Sequence, residues 1–225
     1  MSLRAEAVTA GYGPEPVLRD VSFVVEPGRI VGLTGPSGIG KTTLGRILAG
    51  LLPARSGRVL LDRTLVCVRR GRMDGRVAML FQSPRRSCSP RLRLRQIIAE
   101  PLVIGGTRAL ERDAAVGELA ADVGLTLDLL DRLPGQVSDG QLQRAALARA
   151  LAGDPAYLIC DEATAMLDAA TTASLVAVIR ERTVTGSGAG LGVLAISHDH
   201  ALLRAWADET RDLSALVPTV PLPGR

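Results

Sequence analysis

The fold is decided by one short stretch, Gly35-Pro36-Ser37-Gly38-Ile39-Gly40-Lys41-Thr42. It matches the pattern G-x-x-x-x-G-K-[ST], and it lies between a strand-like apolar run at 30–34 and a helical pattern at 41–51. The glycines allow a tight turn, so that successive backbone N–H groups surround phosphate oxygens at a helix N-terminus. The stretch therefore predicts a phosphate-binding P-loop, in which Lys41 meets the β- and γ-phosphates and Thr42 ligates Mg²⁺.

Lysine usage supports this interpretation. Lys and Arg together number 27, yet Lys41 is the single lysine, and asparagine is absent. This pattern is typical of a GC-rich genome that uses arginine wherever the chemistry permits. A planar guanidinium does not replace a compact ammonium in a site shaped for a point charge, which explains why one lysine is kept.

Length and composition indicate one folded domain. The chain has 225 residues, of which 47% are hydrophobic and 22% charged, so it can build a core and is not disordered. The longest apolar stretch, near Gly190 to Ile196, is far shorter than the roughly 18 to 20 residues of a membrane-spanning helix. No secretory signal is visible at the N-terminus. Because no membrane-spanning segment is predicted, we expect any pore to be formed by other polypeptides.

The cysteines and the basic residues exclude some classes of site. Cys67, Cys88 and Cys160 are widely spaced and odd in number, which offers neither a disulfide framework nor a metal cluster. The net charge is +4, and the one dense basic run, five arginines at 85–95, lacks the aromatic side chains of a nucleic-acid groove. That run is either a solvated surface or a face that meets an acidic partner or anionic lipid head groups.

Strand-like and helical patterns alternate along the chain, which predicts an α/β fold. We expect a P-loop NTPase core with a mainly parallel sheet, an N-terminal antiparallel β part, and a helical lobe inserted at about 83–137. Residues 1–216 would form a single domain and residues 217–225 a Pro-rich tail. The predicted strands lie at 21–25, 30–34, 59–61, 77–81, 157–160 and 191–196, and the predicted helices at 41–51, within 95–133, and at 138–152, 171–182 and 199–206.

Three further features could carry chemistry. Asp161 and Glu162 end a buried-type strand, where Asp161 would face Mg²⁺ and Glu162 could deprotonate an attacking water. Ser138 is a plausible helix N-cap that leaves backbone donors for a second anion, and His198 follows a strand, within possible reach of a γ-phosphate. Taken alone, Ser138 is better explained by capping, and a lone histidine is more often structural.

In this order, the motifs resemble the nucleotide-binding subunit of an ABC transporter over nearly the whole chain. The resemblance implies that Tyr12 stacks on adenine, and that ATP and Mg²⁺ are the ligands. It implies catalytic roles for Glu162, His198 and Gln82, and metal-binding roles for Thr42, Gln82 and Asp161. It implies nucleotide-binding roles for Tyr12, Gly35, Pro36, Ser37, Gly38, Ile39, Gly40, Lys41, Thr42, Thr43, Ser138, Gly140, Gln141 and Asp168.

Within the family, Phe81-Gln82-Ser83-Pro84 and Ile97 to Leu102 are similar to the peptide and nickel importer branch. This implies ATP-driven import through integral membrane permease subunits at the cytoplasmic face of a bacterial membrane. The partners would be a second ATP-binding subunit, identical or a sister, and an extracytoplasmic solute-binding protein, with no nucleic acid. The arginines at 85–95 would then favour partner docking. The alternative is a non-transport ABC-type ATPase that acts on nucleic acid or ribosomes; a P-loop kinase would leave Ser138 to Gln141 and His198 unexplained.

One residue and one segment depart from the family's pattern. The signature motif usually has two glycines after its serine, and here the first is Asp139. In family dimers this motif binds the γ-phosphate held by the opposite subunit, which a carboxylate would repel; we expect Asp139 to point away and the site to remain competent. Residues 209–216 lack the strand-like pattern usual in the family, which argues against a closing strand.

Overall fold

Nine strands and seven α-helices occur in the described part of a computed structural model, residues 2–66, 75–165, 167–185 and 189–216. Cys67, Met166 and the predicted tail at 217–225 lie outside these residues. The strands are β1 (Leu3–Ala10), β2 (Leu18–Val25), β3 (Ile30–Thr34), β4 (Ser56–Leu61), β5 (Thr64–Leu65), β6 (Val77–Leu80), β7 (Tyr157–Asp161), β8 (Gly192–Ile196) and β9 (Glu209–Asp212). The helices are α1 (Lys41–Leu48), α2 (Pro84–Ser87), α3 (Leu94–Ile104), α4 (Ala109–Asp122), α5 (Asp139–Leu151), α6 (Ala169–Thr185) and α7 (His200–Trp206).

The strands form two sheets. One has the order β2-β1-β4-β5 and is antiparallel, whereas the other has the order β6-β7-β8-β3-β9 and is parallel. Strands β3, β7 and β8 are buried along their whole length, as expected of a parallel sheet covered on both faces. The predicted α/β class, with an antiparallel N-terminal part and a parallel core, is confirmed.

Two apolar clusters cover the two faces of the parallel sheet. Alternate side chains of β7 and β8, such as Ile159 and Leu194, pack with α1 and the antiparallel sheet. Their neighbours, such as Leu158 and Val193, pack with the helices on the other face. The period-two alternation of a strand therefore divides one continuous apolar run between two cores. None of the helices in the described ranges is long and apolar enough to cross a membrane.

A group of helices lies between β6 and β7 in the chain. It comprises α2, α3 and α4, two short 3-10 helices at Leu127–Asp131 and Pro134–Gln136, and α5, against which α3 and α4 pack. The sequence predicts helices in this region, but the boundaries of a separate lobe at about 83–137, and the division at 216, stay predictions.

The expectation of no closing strand is wrong. Strand β9 pairs in parallel with β3, so that Val31 lies opposite Glu209 and Thr34 opposite Asp212. Its residues are polar and only half-buried because it is an edge strand, held by main-chain hydrogen bonds. A side-chain contact also holds β9, because the guanidinium of Arg211 stacks over the Phe23 ring, 5.3 Å from its centroid. A strand of this kind has no apolar alternation by which the sequence could reveal it.

The parallel register brings three strand ends to one edge of the sheet. Ile196 of β8 lies opposite Leu33 of β3 on one side and opposite Asp161 of β7 on the other. The loops that follow these strands therefore leave the sheet side by side at its carboxyl edge, where ligands bind in open α/β sheets.

Candidate nucleotide-binding site

The loop between β3 and α1 has the backbone of a phosphate cradle. Gly35, Gly38 and Gly40 all have positive φ angles, of 136°, 81° and 112°. At Gly40 a Cβ atom would lie 2.6 Å from the end of the Leu18 side chain, so a larger residue would displace Leu18 in addition to adopting a strained backbone. The glycine pattern in the sequence thus corresponds to real backbone requirements.

Lys41 lies inside this loop. Its side chain is only 8% exposed, and its Nζ donates hydrogen bonds to the carbonyl oxygens of Gly35 at 2.7 Å and Pro36 at 2.9 Å. An ammonium group beside the backbone N–H groups of this loop places positive charge where phosphate oxygens bind. Thr43, the next residue but one, is buried on α1 and supports the helix from within.

Thr42 and Asp161 form the second part of the site. The Thr42 hydroxyl donates a hydrogen bond of 2.9 Å to the Asp161 carboxylate, which is 7% exposed. Burial raises the pKa of Asp161, although the Thr42 hydrogen bond and the nearby Arg46 charge oppose the shift. A bound cation would favour the ionised carboxylate.

This donor set fits Mg²⁺. The ion prefers oxygen ligands and is usually held by one or two protein oxygens together with substrate phosphates. Thr42 and Asp161 offer such oxygens directly beside the P-loop. Over the described residues there is no group of three or more His, Cys, Asp or Glu side chains that could form an all-protein metal cage.

Glu162 brings together residues from three separate loops. Its carboxylate accepts a hydrogen bond of 3.2 Å from Gln82 Nε2, and its other oxygen lies 3.4 Å from His198 Nδ1. The backbone at Glu162 has a φ of 49°, and its N–H donates to the carbonyl oxygen of Ile196 at 2.9 Å. A carboxylate positioned in this way can accept a proton from a water molecule.

Tyr12 lies in the loop between β1 and β2, with 62% of its surface exposed. Arg46 of α1 donates a 2.6 Å hydrogen bond to its hydroxyl and lies 5.8 Å from its ring centroid. Arg55 holds the loop itself by donating to the carbonyl oxygens of Gly13 and, at 2.6 Å, of Pro14. Sequence reasoning missed both arginines, because arginine occurs at almost every basic position of this chain.

The signature motif, Ser138–Gln141, forms the turn that starts α5; we call these the signature turn and the signature helix. The turn carries a reciprocal cap. Ser138 Oγ accepts from the Gln141 backbone N–H at 3.2 Å, and Gln141 Oε1 accepts from the Ser138 backbone N–H at 3.0 Å. Gly140 lies between them, and the Asp139 carboxylate pairs with Arg85. Within the described ranges, no hydrogen bond or ion pair joins this turn to the P-loop, so the fold does not bring these two predicted phosphate contacts together in one chain.

Asp168 begins α6. Its carboxylate accepts hydrogen bonds from the backbone N–H and the hydroxyl of Thr171, at 2.9 and 2.7 Å, which lower its pKa. The structure therefore gives Asp168 a local capping role, and its predicted contact with nucleotide stays a prediction.

A residue that sequence reasoning missed connects these segments. Gln143 is fully buried in α5, and its Nε2 donates to the carbonyl oxygens of Phe81 at 3.2 Å and Ala163 at 2.7 Å. Phe81 directly precedes Gln82, and Ala163 directly follows Glu162. The one signal in the sequence is a polar residue on an otherwise apolar helix face.

Comparisons with known proteins agree with this geometry. The family model described as ABC transporter matches residues 18–165, more than half of the chain. A Brucella abortus protein, whose name describes an ATP-binding protein for peptide import, is 41% identical to this chain over 82% of its length. The methionine import ATP-binding protein of Rhodococcus jostii is 40% identical over 88%, and the oligopeptide transport ATP-binding protein of Bacillus subtilis is 37% identical over 84%.

The matches cover the relatives less completely than they cover this chain. The chain spans 56%, 58% and 63% of these three proteins, so it accounts for little more than half of their length. A solved dimeric ATP-binding cassette, in a post-hydrolysis state with ADP and Pi bound, has a TM-score of 0.81 at 25% identity, with 99% of this chain and 100% of that chain covered. The family predicted from the sequence is confirmed: the chain belongs to the ABC transporter family.

Proposed function

We propose that this chain binds ATP with Mg²⁺ and hydrolyses it to power the import of a solute through separate membrane subunits. The observation that carries the proposal is the meeting of the Gln82, Glu162 and His198 side chains beside a P-loop whose Thr42 is bonded to Asp161. Phosphate binding, cation binding and activation of water are the three tasks of ATP hydrolysis, and each has its side chains here.

The proposed roles follow from the contacts. The backbone of the P-loop and Lys41 hold the phosphates, and Thr42 and Asp161, with Gln82, hold the cation. Mg²⁺, when bound, supplies charge that offsets the negative charge on the transferred phosphoryl group. Glu162 accepts the proton of the attacking water, while Gln82 and His198 orient its carboxylate from either side.

A second ATP-binding subunit completes the proposed site. The capped turn at Ser138–Gln141 has exposed residues, and among the described residues no hydrogen bond or ion pair joins it to the P-loop of its own chain. This supports a role toward the nucleotide of a partner, and we propose the same role for Asp168. The similarity to a dimeric cassette supports the same arrangement. The partner is either a second copy or a sister subunit.

Import of peptides or a similar small solute, nickel included, is the transport we propose. It is supported by the names of the relatives, which refer to peptide, oligopeptide and methionine import. The proposed partners are integral membrane permease subunits and an extracytoplasmic solute-binding protein, and the proposed location is the cytoplasmic face of a bacterial membrane. Action on nucleic acid or ribosomes is the alternative that the comparisons favour less.

Two experiments test the proposal. Glu162→Gln keeps the shape of the side chain but removes the base, so the variant is expected to retain ATP and accumulate as an ATP-bound dimer in size-exclusion chromatography with light scattering. Failure to bind ATP would contradict the role given to Glu162.

Purification of the tagged chain from its native membrane is expected to recover multi-span proteins; ribosomes or nucleic acid in their place would refute transport.

A further inference from the structure

Arg85 of α2 makes three polar contacts with the segment that leads into α5. Its Nε lies 2.6 Å from Asp139 Oδ1, while Nη1 donates to the carbonyl oxygen of Pro134 at 3.0 Å and Nη2 to that of Val137 at 3.1 Å. The guanidinium therefore reaches across the turn that starts the signature helix. Arg85 is also three residues after Gln82, in the same short segment.

The other arginines of the run at 85–95 make no such contact among the described residues. Arg93 donates to the carbonyl oxygen of Asp131 at 2.7 Å, and Arg95 pairs with the Asp131 carboxylate at 2.8 Å. Arg86 is exposed next to Arg85. Contact with the signature turn thus belongs to Arg85 and is not a general effect of a basic surface.

Asp139 poses an electrostatic problem for the proposed dimer. A carboxylate in the first turn of a helix is favourable for the helix itself, because it meets the positive end of the helix dipole. The same charge repels a second anion that approaches the neighbouring backbone N–H groups. Both side chains of the Arg85–Asp139 pair are about half exposed, at 46% and 49%, so salt screens the pair only in part.

We propose that Arg85 is a positioning residue for ATP-driven dimerisation. Its guanidinium neutralises Asp139 and turns the Asp139 carboxylate away from the γ-phosphate held by the partner. This inference rests on the proposed function. It explains how a signature turn with an added carboxylate can remain competent: the charge is accommodated by an arginine from the segment that follows Gln82. Without Arg85, Asp139 is an uncompensated negative charge at the dimer interface.

The test is a double-mutant cycle in the full chain carrying Glu162→Gln, read by sedimentation velocity with ATP and Mg²⁺. Arg85→Ala is expected to weaken ATP-driven dimerisation by about fivefold or more, within the range of couplings between neighbouring residues. Asp139→Gly alone should change it by less than about twofold, and Asp139→Gly added to Arg85→Ala should restore it. The loss in Arg85→Ala should be larger at low salt, because ions screen the exposed charge.

Controls separate charge from fold. Binding of a fluorescent ATP analogue by the monomer reports the nucleotide site of one chain, P-loop and Tyr12 together, and should be unchanged in every variant. Arg86→Ala removes an adjacent exposed arginine and should have no effect, whereas Arg85→Lys keeps the charge without the fork and should dimerise better than Arg85→Gln.

Several results would overturn the inference. Normal dimerisation of Arg85→Ala would do so, and so would an equal loss in Arg85→Ala and the double variant, since Arg85 would then act through the carbonyls of Pro134 and Val137. If the Glu162→Gln protein itself did not dimerise with ATP, the proposed function and this inference would fall together. If the Glu162→Gln protein dimerises with ATP but Asp139→Gly does not restore the dimerisation of Arg85→Ala, only this inference is refuted and the proposed function stands.

Discussion

Gln143 Nε2 lies 2.7 Å from the carbonyl oxygen of Ala163, so one amide in the middle of the signature helix supports the residue next to Glu162. The same nitrogen reaches the carbonyl oxygen of Phe81, next to Gln82, while Gln143 Oε1 is buried without a partner among the described residues. A single buried side chain therefore connects the helix that would contact one nucleotide to the two segments that would act on another.

Gln143→Leu should lower the ATPase rate by about tenfold or more while the affinity for ATP stays within about twofold, because small displacements of reacting groups are costly to the rate and the P-loop is untouched. The loss of two hydrogen bonds to buried carbonyls should also reduce stability by about 1–3 kcal/mol. Steady-state hydrolysis and thermal melts measure both. Gln96→Leu, which removes only a local cap of α3, is the control; an unchanged rate in Gln143→Leu would contradict the positioning role.

Lys41→Ala should reduce hydrolysis by about a hundredfold or more while the melting curve shows an intact fold, because one charged donor is removed from the phosphate site. Lys41→Arg should not rescue the rate, since the planar fork cannot occupy the space of an ammonium that is bonded to both Gly35 and Pro36. ATPase assays on both variants provide the measurement. Activity in either variant near that of the original chain would refute the assignment of the P-loop.

Arg55→Ala should lower the affinity for ATP by roughly three- to tenfold, since a loosened Tyr12 loop loses part of the roughly 1–3 kcal/mol available from stacking an aromatic ring on a base. Its affinity for inorganic triphosphate, which has no base, should not change. Calorimetric titration of both ligands separates the two effects. Arg58→Ala, which breaks only an exposed ion pair with Glu6, serves as the matched control; equal losses for both ligands would mean that Arg55 does not act through Tyr12.

Asp208→Asn should show a pH-dependent loss of stability. Burial opposes ionisation of Asp208, but hydrogen bonds from the Ile30 N–H at 2.7 Å and from Arg180 at 2.6 Å outweigh it and hold its pKa below the ordinary value. A lowered folded-state pKa stabilises the protein above the unfolded pKa, and this stability is lost as the pH falls through the folded pKa.

The variant should therefore be less stable than the original chain by about 1 kcal/mol at pH 7, which corresponds to a few degrees in Tm. The difference should shrink as the pH falls into the acid range. Thermal melts across pH measure it, with Asp113→Asn on the exposed side of α4 as control. A difference that stayed constant with pH would show that the carboxylate charge is not what stabilises the start of β3.

Strands β3, β7 and β8 could be predicted because each is a short apolar run between turn residues, and burial on both faces leaves that mark on a sequence. Strand β9 could not, since it is polar and owes its conformation to the main chain of β3. The same distinction applies in the candidate site. Residues at the ends of buried strands are found by their position, whereas Arg46 and Arg55 have no pattern that marks them, and Gln143 is marked only as a polar residue on an apolar helix face.

By itself, the sequence determined the P-loop, and the ordered set of motifs along the chain indicated the family. Glycines at 35, 38 and 40, and a lysine at 41, satisfy demands of backbone conformation and charge that arise within eight consecutive residues, so they can be recognised without any knowledge of the fold. Only the tertiary structure decided which distant side chains meet: Arg85 with Asp139, and Gln143 with the carbonyls beside Gln82 and Glu162. Such contacts depend on the packing of helices against a sheet, and a pairing between segments far apart in the chain has no period or spacing that a sequence displays.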